Sequence, residues 1–144
     1  MTGMGGGGED LSVAFEHTTY IFPENTNETV TLVAAGAHTW GSWIELVDNN
    51  AVTLSSKFAL VPGHLSAFVV ETVSVNNQLF MLELAYGDAK TIISPMRIYG
   101  GSVPKQETRV YGVMIPAGET VYYRLKCAQP GPNSLTAHIR YHFH

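Results

Sequence analysis

The chain has 144 residues, enough for one hydrophobic core, and is 45% hydrophobic but only 14% charged, against roughly a quarter in an ordinary soluble domain. Lysine and arginine are absent before Lys57, whereas Glu9, Asp10, Glu16, Glu24, Glu28, Glu45 and Asp48 precede it, so this stretch carries a formal −7 of a total of −4. Eight Lys and Arg placed in this way form no basic stripe and argue against a nucleic-acid partner; no run of roughly 18 apolar residues suggests a membrane helix; the single Cys127 excludes an internal disulfide and paired-cysteine zinc patterns.

In chain order, the opening MTGMGGGGED is a glycine-rich arm. Four consecutive glycines lose much backbone entropy on ordering and bring no side chain to offset it, so residues 1–10 are expected to be flexible, ahead of one domain over 11–144. The same stretch has neither the positive start nor the apolar run of a secretory signal, so an origin in the cytoplasm of the cell that makes the chain is expected. Short runs rich in Val, Ile, Thr, Tyr and Phe then alternate with turn signals such as Asn76-Asn77, Gly87-Asp88, Pro116-Ala117-Gly118 and Pro130-Gly131, with no 3.6-residue period. Strands are predicted over 11–15, 29–34, 43–47, 57–61, 65–75, 78–86, 91–99, 108–115, 120–127 and 134–143. The pattern predicts an all-β fold: an antiparallel, jelly-roll-like β-sandwich of about eight to ten strands.

Two hairpins are predicted. One turns at Asn76-Asn77, where asparagine tolerates positive φ, and pairs Val75 with Gln78, Val73 with Phe80 and Glu71 with Leu82. The other turns at Pro116-Ala117-Gly118, with Gly118 expected at positive φ or against crowded backbone. In the first register Glu71 and Glu83 project to opposite faces and cannot share a substrate. No nucleophile elbow, phosphate-cradling loop or Cys/His pattern occurs either, so no catalytic residue and no cofactor are assigned, and an enzyme is not expected.

In HTWGSWIEL, Trp40 and Trp43 are three apart, so on an extended strand one should enter the core and the other form a rim contact between subunits; an exposed tryptophan also suits sugar stacking. In TVYYRLKC, Cys127 shares a face with Val121, Tyr123 and Leu125 and reads as a small buried hydrophobe, while Tyr122, Arg124 and Lys126 face outward.

The closing LTAHIRYHFH places Ala137, Ile139, Tyr141 and Phe143 on one side and His138, Arg140, His142 and His144 on the other. A metal site, a catalytic face and an assembly surface are the three readings. His142 and His144, at i and i+2, can reach one zinc ion, but His138 lies about 13 Å along the strand, and a further ligand from another strand is not identifiable. No metal is therefore assigned, and the assembly surface, with Trp40 and Trp43 as further members, is the expectation.

The succession TVTLVAAGAHTWGSWIELV, LSAFVVETVSVNNQLFMLELAYG, RVYGVMIPAGETVYYRLKC and SLTAHIRYHF, over residues 29–143, resembles the small decoration, or cement, proteins and head-fibre domains of tailed-phage virions. The resemblance implies a jelly roll without catalytic residues that sits on the outer capsid surface, binds a major capsid protein and often trimerises. On this basis the expected function is that of a structural virion protein stabilising the assembled shell, with a receptor- or carbohydrate-binding module of a phage fibre as the alternative.

Overall fold

The computed structural model describes residues 18–100, 106–110 and 112–144. The predicted arm over 1–10 and strand over 11–15 lie outside them. Nine strands are described: β1 Tyr20–Phe22, β2 Val30–Val33, β3 Ile44–Glu45, β4 Gly63–Val73, β5 Gln78–Tyr86, β6 Thr91–Gly100, β7 Gln106–Arg109, β8 Val121–Cys127 and β9 Ser134–Phe143, with one 3-10 helix, Leu54–Phe58.

They form two antiparallel sheets. In the first, β1 and β2 pair with opposite halves of β9, which pairs with β4, which pairs with β7; in the second the order is β3-β8-β5-β6. Counting β1 and β2 as one interrupted edge gives two four-position layers in which chain neighbours such as β4 and β5 fall in opposite sheets, the winding of a jelly roll. The alternation that predicted β8 and β9 is what builds the core. Val121, Tyr123, Leu125 and Cys127 point inward from one sheet, and Leu135, Ala137, Ile139 and Tyr141 from the other, all buried. Phe22, Phe58, Phe68 and Phe80 fill the space between, each side chain contributing about 2 to 3 kcal/mol by its transfer from water. At one end Phe58 and Tyr20 pack on Tyr141 with ring centroids 5.4 and 5.6 Å apart. Burial, with Glu24 and Tyr20 nearby, pushes the Tyr141 hydroxyl up to about 12.

Neither predicted hairpin forms. β4 and β5 lie in different sheets, so the pairing of Val75 with Gln78 and of Glu71 with Leu82 is replaced by β4–β9, β4–β7, β5–β6 and β5–β8 pairing. The physical reason is visible in β4, whose Phe68 and Val70 face the core while Ala67 and Val69 are buried as well. A strand buried on both faces takes a central position with a neighbour on each edge, and both edges of β4 are occupied, by β9 and by the short β7, which leaves none for β5. Asn77 does adopt positive φ, 61°, but as a corner between the sheets. The turn at Pro116-Ala117-Gly118 is also a crossing: the backbone N–H of Glu119 donates to the Pro116 carbonyl, Gly118 has φ 84°, and its N–H donates to the Phe58 carbonyl at 2.9 Å. The β5–β6 connection, residues 87–90, is a hairpin, with Gly87 and Lys90 at positive φ.

Three further expectations are corrected. The stretch predicted as a strand over 57–61 is instead the end of the 3-10 helix and an open loop. Thr53 caps that helix through its Oγ1, which accepts from the Ser56 N–H, and the Ser56 hydroxyl donates to the Thr53 carbonyl, local bonds that compete with a sheet ladder. The predicted strand over 108–115 shortens to β7, and Ile115 rejoins the sheet only through a bridge to Gly63. Of the stretch predicted over 43–47, only Ile44–Glu45 is a strand. β1 had no sequence signal: three residues are too few to show a period, and it exists as a partner of β9.

Candidate functional site

The outer face of the β9 sheet carries the four residues of the closing segment where alternation put them. His138, Arg140 and His142 are half-buried and point away from the core, and His144 is exposed. Each meets a neighbour from another strand. The Nδ1 of His138 lies 2.6 Å from Oε2 of Glu71 on β4, and Nη1 of Arg140 donates to Oε2 of Glu107 on β7 over 3.4 Å. His142 stacks on His64, its direct cross-strand partner on β4, with centroids 5.1 Å apart and planes 19° apart, while His144 meets His64 edge-on at 4.7 Å.

His64 is the residue that sequence reasoning missed. Its position follows from the β4–β9 register, which no local pattern encodes once β4 is assigned to a hairpin with β5. Its Nδ1 is buried without a hydrogen-bond partner among the described residues, and desolvation, then the charges of His144 and His142, hold its pKa below the ordinary histidine value. Stacked rings present faces to one another rather than convergent lone pairs. Among the described residues, no group of three His, Cys, Asp or Glu side chains is placed to hold a metal ion.

The outer face of the β8 sheet is built differently. Residues 36–41 run beside β8, the His38 N–H donating to the Cys127 carbonyl and the Gly41 N–H to that of Leu125, which brings Trp40 over the strand. Arg124 lies between the two tryptophans, its guanidinium carbon 4.7 Å from the Trp40 ring centroid and 4.5 Å from that of Trp43. Its Nε and Nη2 both reach Oε1 of Glu83, the cross-strand neighbour on β5, at 2.7 and 2.6 Å. Lys126 sits 4.6 Å over Trp40, and Lys90 4.3 Å over Tyr122. Cation–π contacts of this kind contribute about 0.5 to 2 kcal/mol each, according to their exposure.

Trp40 and Trp43 therefore do not divide between core and rim. Both are half-buried on the outside, because the chain before Ile44 is a loop with His38 at positive φ, and strand alternation has no hold on a loop. Cys127 is buried as expected. Glu71 and Glu83 stand on opposite outer faces of the sandwich, so they cannot act on one substrate, although for a reason other than hairpin register.

A third feature lies along the β1–β2 edge. The connecting loop, residues 23–29, separates two depressions: one of about 300 Å³ that includes Ile21, Glu24, Glu28, Glu71 and His138, and one of about 160 Å³ that includes Glu24, Glu28, Asp48, Val52 and Lys57. Lys57 holds Glu24 at 2.6 Å; that hydrogen bond, and then the lysine's charge, lower the Glu24 pKa.

No family model matches this chain, and no curated protein matches it. Among solved structures, one titled as the structure of the infectious bursal disease virus Gx strain aligns over 88% of this chain at 12% identity with a TM-score of 0.39; the chain spans 32% of the length of that one.

Proposed function

We propose that this chain is a structural protein of a virion, which binds the outer surface of a phage capsid through its major capsid protein and stabilises the assembled shell, with copies of itself, three in number, as immediate neighbours. The observation that carries the reading is the outer face of the β8 sheet. Two tryptophans, an arginine clamped between them and a lysine lie on a sheet surface rather than in an enclosed pocket, and Trp and Arg are the residue types that dominate the energetics of protein–protein contacts. The resemblance of residues 29–143 to decoration proteins supplies the virion context, and the jelly-roll winding agrees with it. By binding the assembled lattice and not free subunits, such a protein shifts the equilibrium against disassembly by mass action.

A carbohydrate-binding module is less well supported, since a sugar stacking on Trp40 or Trp43 would compete with the cations already there. The deciding experiment mixes purified protein with undecorated expanded capsids of its virion and images them. Added density at regular lattice positions, with capsids more resistant to heat, is the expected result. Bare capsids at saturating protein would overturn the reading, and specific binding on a glycan array would replace it with the adhesin alternative.

A further inference from the structure

The β8 sheet's outer face has more cations than its carboxylates can match. Lys90, Arg97, Arg124 and Lys126 stand on it; Glu83 is taken by Arg124, and Glu45 accepts from the Ser55 hydroxyl. Among the described residues no carboxylate pairs with Arg97 or Lys126. The β1–β2 edge has the opposite surplus: Glu24, Glu28, Asp48 and Glu71 stand around two depressions with one lysine and one histidine, Lys57 holding Glu24, His138 meeting Glu71 and Asp48 accepting from the Asn50 and Val52 N–H groups, while Glu28 pairs with no cation among the described residues. Ile21 and Val52, 48% and 39% exposed, give those depressions apolar walls. A carboxylate-rimmed recess with apolar walls is what a long cationic side chain requires, because its methylene stem is covered while its head finds an anion.

We propose that the cationic, aromatic outer face of the β8 sheet docks against the acidic β1–β2 edge of a second copy of this chain, with Arg97 and Lys126 entering the depressions beside the 23–29 loop. The inference rests on the proposed self-association and specifies its surfaces. Because the contacting surfaces differ, the contact is heterologous, and copies close into a ring when the rotation between neighbours permits. Charge complementarity selects this occupant over an unrelated acidic protein, since the chain carries both halves of the match. Tryptophans at the centre supply the apolar area that ion pairs alone do not. The ionic rim makes association salt-sensitive.

The test is a charge swap on the full chain, read by analytical ultracentrifugation. One variant carries Arg97→Glu and Lys126→Glu, a second Glu24→Lys and Glu28→Lys; circular dichroism and melting confirm that both fold. Wild type is expected to associate at tens of micromolar in low salt and at least tenfold more weakly in 0.5 M salt. Each variant alone should lose at least tenfold in association, and an equimolar mixture of the two should regain pairwise association, because reversed face meets reversed edge; a closed ring of three is not regained, since an odd ring leaves one mismatched contact. Recovery in the mixture cannot come from misfolding. Wild-type association that neither salt nor either variant alters would overturn these surfaces while leaving self-association standing. A wild-type monomer under all conditions would overturn both.

Discussion

The outer faces of the two sheets obey the same alternation and handle charge in different ways. On the β9 face polar groups are matched across strands, His138 with Glu71 and Arg140 with Glu107, while His64, His142 and His144 pack on one another. On the β8 face one matched pair, Arg124 with Glu83, is covered by two indoles, and Lys126 and Arg97 stand without an acid among the described residues. Alternation says which side chains face outward; only cross-strand and loop partners decide whether that face is satisfied in water or keeps an attraction for something else. For this reason our proposal rests on the tryptophan face, which in the sequence belonged with the closing histidines to one expected assembly surface.

The strongest way to break this contrast is to remove Arg124. Arg124→Ala deletes two cation–π contacts and leaves Glu83, only 20% exposed, without its partner, so chemical denaturation should show a loss of about 2 kcal/mol. A loss below about 0.5 kcal/mol would mean that the clamp is surface decoration.

The next effect lies at the crossing that joins the two sheets. Gly118 has φ 84° and nothing within 4 Å of where a Cβ would stand, so conformation alone resists substitution. Gly118→Val should cost about 1 to 3 kcal/mol, and Gly118→Asn less, because asparagine tolerates that region. An unchanged melting temperature for the valine variant would contradict the turn.

A smaller effect is expected from pH. The pKa of His64 is lowered on folding, so the unfolded chain binds its proton more readily. Stability from this group is therefore full above the ordinary value of about 6.5 and declines as pH falls below it. His64→Gln should flatten the dependence of the urea midpoint between pH 7.5 and 5; a response identical to wild type would assign it to other groups. Smallest of all is Arg140→Ala, whose partner Glu107 is half exposed and 3.4 Å away: a change within about 0.5 kcal/mol, against the larger loss at Arg124, is the expected sharpening of the comparison.

The strands at 120–127 and 134–143 were legible, inward faces included, because each combines sustained alternation with turn signals at its ends; 78–86 was legible as a strand from its apolar run between turn signals, but Leu79, Phe80, Met81 and Leu82 in succession do not say which side faces inward. The connections were not. Asn77 and Gly118 announce positive φ equally well for a hairpin and for a crossing between sheets, and which one forms depends on whether β4 and β5 already have two neighbours, a property of the whole sandwich. His64 escaped for the same reason, since its meeting with His142 is a matter of β4–β9 register. The tryptophans were misplaced because a strand rule was extended into residues 39–43, where the chain is a loop.

The chain's two tryptophans both lie on the β8 face, so intrinsic fluorescence reports that surface. Acrylamide quenching across a concentration series, with ultracentrifugation in parallel, tests most directly whether this is the surface by which the protein assembles. The account predicts that the quenching constant falls about twofold or more as monomer gives way to oligomer, because assembly covers the indoles. A quenching constant that stays level while the sedimentation coefficient rises would show that the protein assembles through another surface.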